Sequence, residues 1–317
     1  MVKKVLITGI AGHAGSHLAD LLVKKGYDVH GITRYRTKLD NIEHLLNNIQ
    51  LHSADITDAR SVEIAVMEAQ PEYIFHLAGM SFVPQSWRAP CHTMNVNVNG
   101  TINILEAARK LEGVKVQIAG SSEEYGEVRQ GETPIKETNP LRPLSPYGVS
   151  KVATDLLGVQ YHESYGTEVV ITRGFNHTGP RHEKIALCPN IAWQIAQYER
   201  GNGPAKIHVD SLTSRRDFTD TRDMVNAYLL ALEKGKSGEQ YNICSGEEHS
   251  IEDVVRTFAS LIDYGMEIIT PKTHPRPSDV LVLQGDSSKF REETNWKPEI
   301  PFKKTCFDIL KYWREKR

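Results

Sequence analysis

Short apolar runs alternate with segments of helical spacing through the first half of the chain. "KVLITGI" (4–10) is a continuous apolar run that predicts a buried strand, and "SHLADLLVKKG" (16–26) carries its apolar residues at helical spacing. The alternation repeats. Strands are predicted over "DVHGIT" (28–33), "YIFHLAG" (73–79) and "KVQIAGS" (115–121), and helices over "SVEIAVMEAQ" (61–70) and "NGTINILEAARKLE" (99–112). A further strand ends at "SADI", ahead of Asp55. Such alternation predicts a parallel sheet covered on both faces. Pro140, Pro143 and Pro146 break the pattern before "PYGVSK" opens a helix that runs to about Tyr165. Beyond "TEVVITRGFNHTGP" (167–180) the pattern loosens into a helix and loops over 181–215, a returning strand over 238–246, and short elements and turns over 276–298. The fold expected is α/β, a Rossmann-type doubly wound sheet with a smaller, discontinuous C-terminal lobe. Residues 1–175, with the returning strand, form its dinucleotide-binding domain, and 176–317 form most of an interleaved substrate lobe.

Composition narrows the function classes. The chain has 317 residues, 39% hydrophobic and 25% charged, with a formal net charge of −2. That near-neutral balance argues against nucleic acid or a membrane surface as the main partner. No apolar run approaches the roughly 18–20 residues needed to span a bilayer. Lys3 and Lys4 before the first apolar run have the look of a signal peptide, but the run is short and ends in glycines, as a buried strand does. Cys91, Cys188, Cys244 and Cys306 are widely spaced, so reduced thiols and a cytoplasmic location are expected. His13 and His17 have a metal-like spacing with no third ligand nearby in the sequence, and no metal is expected.

"TGIAGHAGSH" (8–17) sets Gly9, Gly12 and Gly15 between the first strand and the first helix. Glycines there allow a tight turn, a close approach of backbone to a pyrophosphate, and close helix packing. The helix N-terminus offers N–H groups to the phosphates. The second strand ends in "HGITRYR", with Arg34 and Arg36 where NAD-preferring sites carry an acidic residue. Arginines suit a 2′-phosphate, so NADP is expected ahead of NAD; the alternative, that both are solvated loop charges, stays open. Asp55, with Ile56, is placed to meet the adenine, and Ala78 and Gly79, after Leu77, end a strand where small residues clear the cofactor; Leu77 and Ala78 are counted with the cofactor-binding residues. His13 and Ala14 complete the expected cofactor set.

"AGSSEEYG" (119–126) follows a strand and emerges at the carboxyl edge of the sheet, where open α/β sheets bind ligands. Its polar residues are either turn and solvated positions or part of a site. Tyr147 and Lys151 lie four residues apart on one helix face at the same edge. A free phenol titrates near 10, and a base working near pH 7 needs roughly 4 kcal/mol of differential stabilisation, which neighbouring cations supply. Tyr147 then exchanges a proton with a substrate hydroxyl during hydride transfer, Ser121 orients that oxygen, and Lys151 holds the nicotinamide ribose.

With "GMSFV", "NGTINILEAAR", "GSSEEYG", "SPYGVSK", "FNHTGP", "RRDFTDTRD" and "RPSDV", the chain resembles the extended short-chain dehydrogenase/reductase superfamily over nearly its whole length. Within it, the sequence is similar to the GDP-mannose 4,6-dehydratases and the GDP-4-keto-6-deoxymannose reductases. The resemblance implies a Ser121–Tyr147–Lys151 triad and a GDP-sugar bound between the lobes by Ser81, Ser122, Asn176, Arg181, Arg216 and Arg276. It also implies a homodimer or homotetramer. A dehydratase needs one more acid/base group, and Glu123, two residues after Ser121, holds that place. "RYRTKLDNI" and Arg181 lean toward the dehydratases, whereas Ser121 in place of threonine, the chain length and "RRDFTDTRD" lean toward the reductases. "RHEKIALCPNIAWQ" departs from both patterns. GDP-mannose 4,6-dehydratase is the leading expectation, the NAD(P)H-dependent 4-keto reductase the alternative, and a sugar-nucleotide 4-epimerase a third. A catalytically silent NADP-sensing scaffold is disfavoured by the presence of Tyr147 and Lys151.

Overall fold

A computed structural model of the chain describes residues 2–270 and 282–316. The first half runs β1 (Lys4–Thr8), α1 (His13–Lys24), β2 (Asp28–Thr33), β3 (Ile49–Ser53), α2 (Ala59–Ala69) and β4 (Tyr73–His76). Two short helices follow, α3 (Val83–Arg88) and α4 (Pro90–Met94), then a π-helical turn (Asn95–Asn99) that leads into α5 (Gly100–Ala108). Next come β5 (Lys115–Ser121), α6 (Pro146–Tyr165) and β6 (Glu168–Gly174). The predicted strands over 28–33 and 115–121 match β2 and β5 at both ends. The predicted first strand stops at Thr8 because Gly9 turns the chain with φ +72°.

The second half contains β7 (Asn176–Thr178), α7 (Leu187–Glu199), β8 (Lys206–His208), β9 (Arg215–Asp220), α8 (Thr221–Lys234) and β10 (Gln240–Ile243). It continues through β11 (Glu248–Ser250), α9 (Ile251–Ala259), β12 (Glu267–Ile269), β13 (Val282–Leu283), α10 (Ser288–Thr294) and α11 (Phe302–Glu315).

Seven strands form one parallel sheet in the order β10-β6-β5-β4-β1-β2-β3. The fold is a doubly wound α/β sheet. The chain builds outward one way from β1 to β3 and the other way from β4 to β6, so the winding reverses between β1 and β4. Ligand crevices open at such switch points, beyond the carboxyl ends of the strands. One face is covered by α1 and α8 through Leu18, Leu22, Val225 and Leu229, the other by α2, α5 and α6 through Val62, Val66, Ile104 and Tyr161. The inner strands β1, β2 and β4 are buried on both faces, whereas the edge strand β3 exposes Gln50 and Ser53.

The other elements pack at one end of the sheet. Ile191 and Ile195 of α7, Val254 and Phe258 of α9, and Ile309 and Leu310 of α11 share a separate core. β9 pairs with β7, β11 and β13 in a small sheet, and β7 continues β6 past Phe175. Buried Asp217 on β9 accepts from Ser245 N at 2.9 Å and Gly246 N at 2.9 Å, tying the small sheet to the end of β10. The carboxyl edge of the large sheet therefore faces a wall fixed by hydrogen bonds.

Candidate active site

A cleft of ≈ 1720 Å³ follows that edge. Its floor is the β1–α1 turn. A Cβ on Gly15 would lie 2.2 Å from Gly9 O, so any side chain there would force the helix away from the strand. No side chain caps α1 at Gly12, which leaves N–H groups of its first turn, at His13, Ala14 and Gly15, turned to the cleft. Leu77 and Ala78 form the neighbouring rim, their N–H groups donating to Thr8 Oγ1 at 3.1 and 3.0 Å. Ile56 lines the cleft and packs on Gly100, where a Cβ would meet its Cδ1 at 2.8 Å. These surfaces fit a dinucleotide: donors for its phosphates, small residues under its rings.

Arg34 and Arg36 border a side pocket of ≈ 480 Å³ with Thr37, Ser53, Asp55 and Ser61. Asp55 Oδ1 accepts from Thr57 N at 2.9 Å and Thr57 Oγ1 at 2.8 Å, and these bonds hold its carboxyl below the usual range. Arg36 and Arg181 have left-handed backbones, φ 63° and 66°, and both line the cleft. Non-glycine residues adopt that region at a cost, and such strain concentrates at ligand sites.

At the opposite end of the cleft, Ser121 caps the turn after β5, its Oγ accepting from Glu123 N at 3.2 Å. Ser145 caps α6 by accepting from Gly148 N at 3.0 Å, with Pro146 in the first turn, and so sets Tyr147 and Lys151 at the helix start. Tyr147 lies beside Ser121, and both Ser121 and Glu123 are close enough to the phenol to alter its acidity. Lys151 and the nicotinamide ring are the cations expected to favour the phenolate; the phenol's surroundings within the chain alone act, on balance, the other way. Burial pushes the Tyr147 phenol well up, Ser121 pulls it down, and Glu123 and Glu124 push it further up. Lys151 Nζ sits 5.8 Å from the ring centroid and donates to Ala119 O at 2.7 Å. Burial pushes Lys151 itself down to about 8. Both groups are desolvated, which disfavours the charged form of each, but at about 8 Lys151 keeps its proton at neutral pH.

Sequence reasoning overlooked three supports. Asn97, inside the π-helical turn, accepts from Met80 N at 2.7 Å and donates to Met80 O at 3.1 Å and Ser150 Oγ at 2.8 Å. It locks the "GMSFV" loop, and with it Ser81, against α6. Its signal was the run "NVNVN", poor helix formers ahead of a helix. The other two are Glu124 and Arg173. Glu124, read as a solvated option, is wholly buried and accepts from Ser121 N at 2.7 Å, with Arg173 Nε 3.3 Å away.

The far wall carries the arginines. Arg181 donates to Asp20 Oδ2 at 2.6 Å and Asn41 O at 3.4 Å, spanning from the loop after β7 to α1. Arg216, nearly buried, donates to Arg215 O at 2.9 Å, and Asn176 and Ser122 border the same cleft. Arg276 lies outside the described residues. His177 and His182 join His13 and His17, with His13 stacked on His182 at 4.0 Å and 10°. Stacked rings do not converge on an ion, and among the described residues no group of three His, Cys, Asp or Glu is placed to hold a metal.

Comparison with known proteins gives the same picture. The sequence model of the GDP-mannose 4,6 dehydratase family matches residues 6–309. GDP-6-deoxy-D-mannose reductase of Pseudomonas aeruginosa is 30% identical over 318 residues, covering 100% of this chain and 99% of that protein. GDP-mannose 4,6 dehydratase of Cricetulus griseus is 33% identical over 334 residues, covering 95% of this chain and 88% of that protein. The structure of RMD from Pseudomonas aeruginosa complexed with NADPH superposes with a TM-score of 0.85 at 28% identity, covering 98% and 99% of the two chains. This chain belongs to the GDP-mannose 4,6-dehydratase family of nucleotide-sugar enzymes.

Proposed function

We propose that this chain is an NADP-dependent GDP-mannose 4,6-dehydratase, a lyase that oxidises C4 of the sugar, removes water across C5–C6 and reduces C6. The observation that carries this reading is Glu123: a carboxylate lining the cleft, two residues after Ser121 and beside Tyr147. Arg34 and Arg36 around the side pocket support NADP, since guanidinium forks match phosphate oxygens.

The cofactor supplies hydride uptake and return; the chain handles the protons. Tyr147 removes the C4 hydroxyl proton, and Ser121 hydrogen-bonds the same oxygen. Buried and near two carboxylates, the phenol needs an opposing positive charge to serve as a base, and Lys151 is a cation the chain places 5.8 Å from its ring. A ketone at C4 acidifies the C5 proton. Glu123 takes that proton and protonates the departing C6 hydroxyl, which leaves as water; when C6 is reduced C5 regains a proton, which balances the one Tyr147 took from the C4 hydroxyl. Arg181 and Arg216 hold the diphosphate, with Asn176, Ser122 and Ser81 along the cleft.

Exposed Leu156 and Val149, 58% and 45% accessible on α6, support assembly as a homodimer or homotetramer. No helix among the described residues is long and apolar enough to cross a membrane, and the reading places the enzyme in the cytoplasm.

A second reading, the NAD(P)H-dependent 4-keto reductase, is favoured by the end-to-end match to the Pseudomonas aeruginosa reductase. Incubation with GDP-mannose and catalytic NADP⁺ separates the two. The dehydratase forms a 4-keto-6-deoxy sugar without added reductant. A chain that acts only on a supplied 4-keto sugar with stoichiometric NADPH is the reductase.

A further inference from the structure

Behind the catalytic turn lies a buried group of charges that the proposed chemistry does not use. Glu124 is 0% exposed and Asp155 1%. Glu124 Oε1 accepts from Ser121 N at 2.7 Å, completing a reciprocal cap of the 122–124 turn. Arg173 on β6 donates from Nε to Asp155 Oδ2 at 2.7 Å, with Glu124 Oε2 3.3 Å from the same nitrogen. Its Nη1 is committed elsewhere, to Tyr125 OH and Glu137 O, both at 3.1 Å. Two carboxyls therefore share one guanidinium.

Two oxygens are left over. Glu124 Oε2 and Asp155 Oδ1 are buried, and no donor among the described residues hydrogen-bonds either. The two carboxyls lie within hydrogen-bonding reach of each other. As a pair of anions they would leave two unpaired acceptors and an uncompensated negative charge in a dry interior, and both are costly. One proton shared between the two carboxyls replaces a clash of anions with a hydrogen bond and brings the group, with Arg173, to neutrality. The placement is also mechanical. Glu124 follows β5, Asp155 lies one helical turn beyond Lys151 on α6, and Arg173 is on β6, so the group joins the element carrying Ser121 to the helix carrying Tyr147 and Lys151.

We propose that Glu124 is a positioning residue for the reaction: as a carboxylic acid it donates its proton to Asp155 and, through its other oxygen, fixes the Ser121 backbone so that Ser121 and Glu123 present themselves to Tyr147. The proposal rests on the reading of Ser121, Glu123 and Tyr147 as the reacting groups. Burial, then Asp155, pushes the Glu124 carboxyl well above the usual carboxylate range, against the pull of Arg173 and the Ser121 N–H. Holding the proton has a consequence for the site. A negative Glu124 pushes the pKa values of both Tyr147 and Lys151 up, and a neutral one spares them. The charged or titratable groups facing Glu124 are Arg173 from β6, Asp155, Tyr147 and Lys151 from α6, and Tyr125 beside it in the turn.

Infrared spectra and kinetics of the NADP-bound enzyme test this together. The wild type should show a carboxylic-acid carbonyl band that persists above pH 7 and disappears in Glu124→Gln and in Asp155→Asn. Glu124→Ala should lower kcat by about tenfold or more, the cost of an unsatisfied buried N–H in the catalytic turn, with KM and NADP affinity little changed. Glu124→Gln keeps an acceptor for Ser121 and a donor for Asp155, and should restore most of that kcat with an unaltered pH profile. A wild type without the acid band overturns the shared proton. Glu124→Gln no better than Glu124→Ala, or Glu124→Ala as fast as wild type, overturns the positioning role. If Glu124→Ala fails to fold, the wild-type band and the Glu124→Gln rate still decide. Failure of the catalytic reading has a different signature: Tyr147→Phe at full turnover with the acid band still present.

Discussion

The two ends of the cleft are built in opposite ways. At the redox end, Ser121, Tyr147 and Lys151 come from one strand tip and the first turns of one helix. Their partners, Ala119, Asn97 through Ser150, and Glu124, all belong to the large sheet and the elements that cover it. At the recognition end, Arg181 reaches across 161 positions of sequence to Asp20, and Arg216 stands on a strand of the small sheet. On the proposed reading, chemistry is placed by local caps on a rigid edge, whereas substrate recognition depends on how the second half folds back. A change at the first end should therefore cost rate, and a change at the periphery should cost affinity.

The largest expected effect is at Tyr147. Tyr147→Phe removes the proton acceptor and should lower turnover by about 10²–10⁴-fold while NADP binding, followed by fluorescence titration, stays intact. Unchanged turnover would remove the tyrosine from the mechanism. Glu123→Gln should cut deoxysugar formation by about 10²-fold or more while C4 oxidation, seen as transient nicotinamide absorbance, survives. Full dehydration in that variant assigns the C5 proton to another group.

Replacing Arg34 and Arg36 together by Ala should weaken NADP binding by about a hundredfold, as two charge-assisted contacts are lost, with NAD affinity unaffected. Equal losses for both cofactors would mean that the side pocket does not read the 2′-phosphate.

The smallest effect concerns the rigidity of the redox end. His76 bridges β1 and α5, with Nδ1 2.9 Å from Thr8 Oγ1 and Nε2 3.1 Å from Thr101 Oγ1. Burial, with Lys151 adding, lowers its pKa from 6.5 to about 3. The unfolded chain thus takes up this proton first, and stability present above pH 6.5 is lost as the pH falls toward 3. His76→Gln should flatten that loss by about 1.4 kcal/mol per pH unit, measured by urea unfolding at pH 5.5 and 4.5. Parallel curves for variant and wild type would contradict a buried neutral imidazole.

Legibility in the sequence follows the same division. The inner strands of the large sheet could be read because they are largely apolar on both faces, and the glycine turn and the i,i+4 pair could be read because their meaning is local. Glu124 could not, since a glutamate three residues beyond the turn serine Ser121 looks solvated until β6 delivers Arg173 beneath it. The grouping of His13 with His177 and His182 likewise needs the loop after β7 to fold over α1. Helices α8, α9 and α11 were blurred by short strands and turns between them, although Ser250 and Asp253 form a reciprocal cap that marks the start of α9.

The central claim is that Glu123 turns a redox site into an eliminating one, so that the hydride leaves C4 and returns to C6 of the same sugar. The most direct measurement uses GDP-mannose carrying deuterium at C4, with catalytic NADP⁺, and mass and NMR spectra of the product. The account predicts a 4-keto-6-deoxy sugar with the deuterium on C6. Deuterium lost to the cofactor pool, or no product until a 4-keto sugar and stoichiometric NADPH are supplied, would contradict it.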